Sequence, residues 1–175
     1  SYVAGNDHYP DLFVGRFSAE TEAHVVTQVQ RVLDYEKYPI SDTSWYSKSI
    51  GIASDQGPGD DGEMDYEHIR KITDLNLIPF TYNHAYEFFD GSQGGNDASG
   101  NPSPSIVADA INSGATIINY TGHGSASSWG TSGFSNNNIS NLTNSGKLPF
   151  IFSVACVNGD FVSGTIYELD ENTHT

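Results

Sequence analysis

The chain reads as a single α/β domain, a mostly parallel sheet flanked by helices, and three observations predict it. Strand-like and helix-like patterns alternate along nearly the whole 175 residues, as parallel strands joined by crossover helices require. Two apolar runs, residues 115–120 and 150–154, each break into a polar turn where a strand would end. There is no internal repeat and no composition shift that would mark a boundary, and the length suits one sizeable core.

Taken in order, residues 11–17 (DLFVGRF) predict a short strand. Ser18 then offers an N-cap, with Glu20 and Glu22 in the first turn where the helix dipole favours anions. Val25, Val29, Val32 and Leu33 recur at helical spacing up to about Lys37, and Pro39 ends the segment. A second strand is expected over 48–54, then a Gly/Asp-rich loop over 55–62 and a helix over 63–75 opened by acidic residues. Residues 78–83 predict a third strand in spite of Pro79, which cannot donate to a ladder. The stretch 90–102 is a polar loop rich in turn formers. Ser103 as cap, Pro104 at the first helical position and Gly114 at the end delimit the next helix. The strand 115–120, a short helix over 136–142 and a final core strand over 150–154 complete the pattern. No element is assigned from Gly164 onward.

Composition narrows the function. There are 22 acidic residues against 7 Lys plus Arg, a net charge of −15. That excludes a nucleic-acid surface, which needs a basic face, and an anionic membrane surface for the same reason. It suits a cationic substrate, calcium, or a plain solvated surface. The lone cysteine, Cys156, excludes an intrachain disulfide and is a buried small hydrophobe, a reactive thiol or an intermolecular partner. No run is apolar enough to span a bilayer, and no signal-peptide pattern opens the sequence. The start in mid-pattern at Ser1-Tyr2-Val3 reads as a processed or excised segment.

Chemistry concentrates at two turns. Cys156 follows the strand 150–154 and precedes the turn Val157-Asn158-Gly159-Asp160. His123, one of six histidines, alone is flanked by glycines, Gly122 and Gly124, at the end of the strand 115–120. If the two strands are neighbours, a thiol and an imidazole share the carboxyl edge where open α/β sheets place their sites. That pair is the minimal machinery for nucleophilic attack on a carbonyl. Gly124 would let a substrate backbone approach, and its N–H could donate to a developing oxyanion. The bland alternatives are a buried thiol and a tight turn with a solvated histidine. One cysteine and no clustered ligand spacing argue against a structural zinc site, and the glycine-rich stretches lack a phosphate-loop lysine.

Thr121-Gly122-His123-Gly124 with Trp129-Gly130-Thr131, followed by Leu148-Pro149-Phe150-Ile151-Phe152 and Val154-Ala155-Cys156-Val157-Asn158-Gly159-Asp160-Phe161, resembles the catalytic region of the gingipain family. Gly5-Asn6-Asp7-His8-Tyr9, Val14-Gly15-Arg16-Phe17-Ser18 and Ile52-Ala53-Ser54 extend the likeness to about Thr165. The resemblance implies a caspase-like three-layer sandwich and a secreted or cell-surface cysteine peptidase that cleaves after Arg or Lys. It implies Cys156 as nucleophile, His123 as general acid/base, and the amides of Gly124 and Cys156 as the oxyanion site. Asp55 is the best-placed carboxylate to orient His123, although its loop is shorter than the family pattern. Asp65 matches the carboxylate that receives an arginine side chain, with a dipole-favoured helix N-terminus as the competing explanation. Thr121 would line the same pocket. No cofactor is required for the chemistry. Family members bind calcium, and Asp90, Asn96, Asp97 and Asn101 supply hard oxygen ligands without EF-hand spacing, so a solvated loop competes.

On this basis residues 1–165 form a peptidase-like domain incomplete at its C-terminal side, and 166–175 a divergent tail. A missing C-terminal portion would leave an unpaired sheet edge. The expected partner is a peptide with a basic residue before the cut. The rival function is a non-catalytic, peptidase-like module for binding or cell-surface assembly.

Overall fold

The computed structural model describes residues 15, 17–59, 62–93, 97–98 and 100–159. Two compact units divide at Pro39, residues 1–39 and 40–175. In the first, α1 spans Glu22–Lys37. Its cap is Thr21, whose side chain accepts from the His24 N–H at 3.3 Å. Ser18, the expected cap, instead gives its carbonyl to Gln28 Nε2 at 2.9 Å, so the helix opens one turn later than the sequence suggested. The strand expected over 11–17 falls largely outside the described residues.

The second unit holds β1 (Lys48–Ala53), α2 (Asp65–Ile72), β2 (His84–Phe89), α3 (Pro104–Ser113), β3 (Ile117–Thr121), α4 (Asn136–Ile139) and β4 (Phe150–Val154). The sheet order is β2-β1-β3-β4, and every pairing is parallel. Ala53, Phe89, Thr121 and Val154 stand at one level across the four strands. All the loops that follow them therefore leave from one carboxyl rim.

Alternation along the strands divides the core between two faces. Ile50, Ile52, Phe88, Ile118 and Tyr120 point to the α3 side and pack with Val107, Ala110 and Ile111. Ala53 and Phe89 point to the other side and pack with Ile69 of α2. Gly51 allows that approach, because a Cβ there would lie 2.5 Å from Ile69 Cγ2. The result is the three-layer sandwich the sequence predicts. On the α2 face, buried Glu87 of β2 accepts from Arg70 Nε at 3.2 Å, and the same guanidinium lies 5.0 Å from the Phe89 ring centroid. Hydrogen bonding to Glu87 holds the Arg70 guanidinium above its ordinary pKa and compensates the carboxylate for its burial.

Three expectations need correction. Residues 78–83 do not form a strand: helical backbone continues from α2 through a π turn, Thr73–Leu77, into a 3₁₀ turn, Ile78–Phe80. Pro79 sits in the first positions of that turn, where its missing N–H costs nothing, and the strand is β2. The helix expected over 136–142 is a single turn, Asn136–Ile139. Finally, β4, expected as a core strand, is the last in the strand order among the described residues. Its Phe150 and Val154 are each 64% exposed.

The fully buried Ile118 lies at the centre of the α3-side core. Replacing it by Ala is expected to destabilise the fold by about 2–5 kcal/mol, the range for cavity-forming truncations. Urea denaturation followed by far-UV circular dichroism measures the difference.

Candidate active site

β3 and β4 end opposite one another, at Thr121 and Val154, and each strand runs two residues further, to His123 and to Cys156. The loops stay joined beyond the ladder, since the Gly122 N–H donates to the Val154 carbonyl at 3.2 Å. Gly124 then lies directly against the cysteine loop. A Cβ at Gly124 would stand 2.8 Å from both the Ala155 Cβ and the Cys156 carbonyl oxygen, and 2.7 Å from Asn158 Nδ2. Only glycine leaves the two loops this close.

His123 and Cys156 are both exposed at the rim. Among the described residues no hydrogen bond joins thiol to imidazole, and neither ring nitrogen of His123 has a partner. The Gly124 and Cys156 amides likewise donate to no acceptor among the described residues. The rim thus presents a thiol, an imidazole and two unengaged N–H donors on adjoining loops.

What holds the histidine is backbone. Its carbonyl accepts from the Gly130 N–H at 2.7 Å and from the Tyr120 hydroxyl. Tyr120 is fully buried, stacks on Trp129 with ring centroids 4.7 Å apart, and accepts from the Thr131 N–H at 3.2 Å. Burial pushes the Tyr120 phenol above its usual pKa, which keeps its proton in place for donation. Thr131 Oγ1 in turn donates to Asp90 at 2.6 Å.

On the β1 side, Ser54 connects two predicted positions. Its N–H donates to the Thr121 carbonyl at 3.0 Å, and its hydroxyl donates to the Asp65 carboxylate. Asp65 is the first residue of α2, so it also occupies the dipole-favoured position that competed with its binding role. Its second carboxylate oxygen has no hydrogen bond among the described residues.

Among the described residues no hydrogen bond joins Asp55 to His123. Its carboxylate accepts from Gln56 Nε2 at 3.3 Å, and a Cβ at Gly91 would lie 2.9 Å from it. Three of the predicted calcium ligands accept hydrogen bonds from the chain itself. Asp90 accepts from Thr131, Asp97 from the Glu87 N–H at 2.9 Å, and Asn101 from the Gly91 N–H at 2.7 Å, while Asn96 lies outside the described residues. No group of three or more His, Cys, Asp or Glu among the described residues could hold a metal ion.

Tyr120, Ser54, Thr131 and Asn158 escaped prediction as site residues. A lone hydroxyl or amide at a strand end carries no pattern of its own.

The family model described as Peptidase family C25 matches residues 1–173. The chain belongs to peptidase family C25. Gingipain R2 of Porphyromonas gingivalis is 40% identical over 162 residues, covering 91% of this chain and 21% of that protein. Lys-gingipain of the same organism is 26% identical, covering 89% of this chain and 8% of its own length. Among solved structures, that of the Arg-specific cysteine proteinase gingipain R matches with a TM-score of 0.79 and 40% identity, covering 93% of this chain and 36% of that one. The caspase-like α/β fold follows from that match, and the chain spans about a fifth of gingipain R2. No helix among the described residues is long and apolar enough to cross a membrane.

Removing the Tyr120 hydroxyl as Tyr120→Phe leaves the buried Thr131 N–H without its acceptor. The expected cost is about 1–3 kcal/mol of stability, measured as a lowered urea midpoint at unchanged slope.

Proposed function

We propose that this C25 chain carries the catalytic pair of a cysteine endopeptidase that cleaves after a basic residue, arginine in preference to lysine. One observation carries the reading: the in-register pairing of β3 with β4, which sets the His123 and Cys156 loops side by side with Gly124 against the cysteine backbone.

In this reading the Cys156 thiolate attacks the scissile carbonyl of a peptide lying across the rim. The carbonyl oxygen takes up negative charge beside the Gly124 and Cys156 amides, which no other described group engages. Collapse breaks the C–N bond, His123 gives its proton to the leaving amine, and a thioester remains on Cys156. His123 then takes a proton from water, whose hydroxide releases the acid product and restores the thiol.

The substrate's basic side chain would enter between Thr121 and Asp65. Ser54 holds one Asp65 oxygen, leaving the other to receive a guanidinium. Preference for arginine is supported by the greater identity to gingipain R2 than to Lys-gingipain, 40% against 26%. The net charge of −15 would favour the approach of such substrates. Action outside the cell, by a secreted or surface-held protein, is proposed on the same kinship.

Cys156→Ala is expected to abolish cleavage of peptidyl-arginyl amides, and residual turnover at the original rate would sink the assignment. Alkylation of Cys156 by a peptidyl-arginyl chloromethyl ketone separates this reading from a non-catalytic module, which would react no faster than a free thiol. Asp65→Asn should lower kcat/KM for arginyl substrates by roughly 100-fold, about 2–3 kcal/mol for a lost charged partner, and spare neutral-side-chain substrates.

A further inference from the structure

We propose that Asn158 is a positioning residue that clamps the cysteine loop to the histidine loop and so sets the alignment of thiol and imidazole. The proposal rests on the peptidase reading and goes beyond it, because it names what holds the two reacting groups in register.

Asn158 Nδ2 donates to the Ser125 carbonyl at 2.6 Å, across 33 residues of sequence. On its other side, Oδ1 accepts from Ser153 Oγ of β4 at 2.8 Å. Ser153 Oγ itself accepts from Trp129 Nε1 at 3.0 Å. One amide thereby joins the backbone two residues past His123, the edge strand, and, through Ser153, the indole that stacks on Tyr120.

The direction of every bond is forced by chemistry. A backbone carbonyl can only accept, so the Asn158 amide must present its NH₂ to Ser125. An indole N–H can only donate, so Ser153 receives from Trp129 and passes its own proton toward Asn158 Oδ1. A flipped amide would set oxygen against oxygen at Ser125 and NH₂ against the Ser153 proton.

Val157, between Cys156 and Asn158, has φ +51, a left-handed conformation that a β-branched residue adopts only under constraint. The backbone beside the thiol is therefore held away from its relaxed shape, and the Asn158 bonds are the described side-chain contacts that restrain it. Asn158 Nδ2 also lies only 2.7 Å from where a Cβ at Gly124 would stand, so the clamp packs against the residue whose amide is the proposed oxyanion donor. A shift of about 1 Å between reacting groups costs on the order of 100-fold in rate.

Asn158→Asp is the decisive substitution, since it preserves size and Oδ1 but turns a carboxylate oxygen toward the Ser125 carbonyl. Its kcat on a peptidyl-arginyl amide is expected to fall about 100-fold with KM changed less than about threefold. Alkylation of Cys156 by the arginyl chloromethyl ketone should fall in parallel, while reaction with iodoacetamide, which needs no alignment with substrate, stays within about threefold. Circular dichroism and the melting curve establish that the variant is folded. Should it unfold, Ser153→Ala and Ser153→Thr replace it: the first, lacking the hydroxyl that links Trp129 to Asn158, should lose activity, and the second should recover it. Full activity in Asn158→Asp, or equal activity in the two Ser153 variants, overturns the clamp and leaves the peptidase reading intact. A wild-type chain whose Cys156 meets the ketone no faster than a free thiol overturns both.

Discussion

Parallel pairing of β3 with β4 is the constraint on which the site depends. With Thr121 opposite Val154, the loops beginning at Gly122 and Ala155 leave the sheet together and turn at the same height. A slip of one residue would send alternate side chains of β4 to the opposite face. Ser153 would then no longer meet Trp129, and Gly124 would no longer face the Ala155–Cys156 backbone. Register, more than any single side chain, sets the His123 and Cys156 loops side by side.

Around that pairing the rim is organised by hydrogen bonds that run sideways, from strand end to strand end. Ser54 ties β1 to β3 and to Asp65, Tyr120 and Thr131 tie the histidine turn to Asp90 after β2, and Asn158 ties β4 to the turn after β3. The exposed imidazole has no partner of its own among the described residues, so its placement rests on its backbone, which accepts two hydrogen bonds at one carbonyl. The main chain is thus hydrogen-bonded beneath side chains that are exposed at the rim.

Much of the fold was legible along the chain. Ser103, Pro104 and Gly114 bracket α3 because capping chemistry is local, and the structure places the helix at Pro104–Ser113 with the Ser103 side chain accepting from Ile106 N–H. The failures arose where local signals compete. Pro79 should have demoted the strand expected over 78–83, and the alternative, HAYEFF over 84–89, went unread because a histidine and a glutamate interrupt it. Arg70, on a helix preceding the strand, pairs with Glu87 there.

The amino-acid sequence by itself determined the alternation of strands and helices, the two turns carrying His123 and Cys156, and the family motifs around them. These depend on neighbours along the chain, where periodicity, capping and turn chemistry act. Only the tertiary structure decided that β1 lies between β2 and β3, that Asp65 meets Thr121 through Ser54, and that Asn158 bridges the two loops. Those are contacts between residues far apart in sequence, and they come into being only when burial of the two sheet faces selects one strand order and one register.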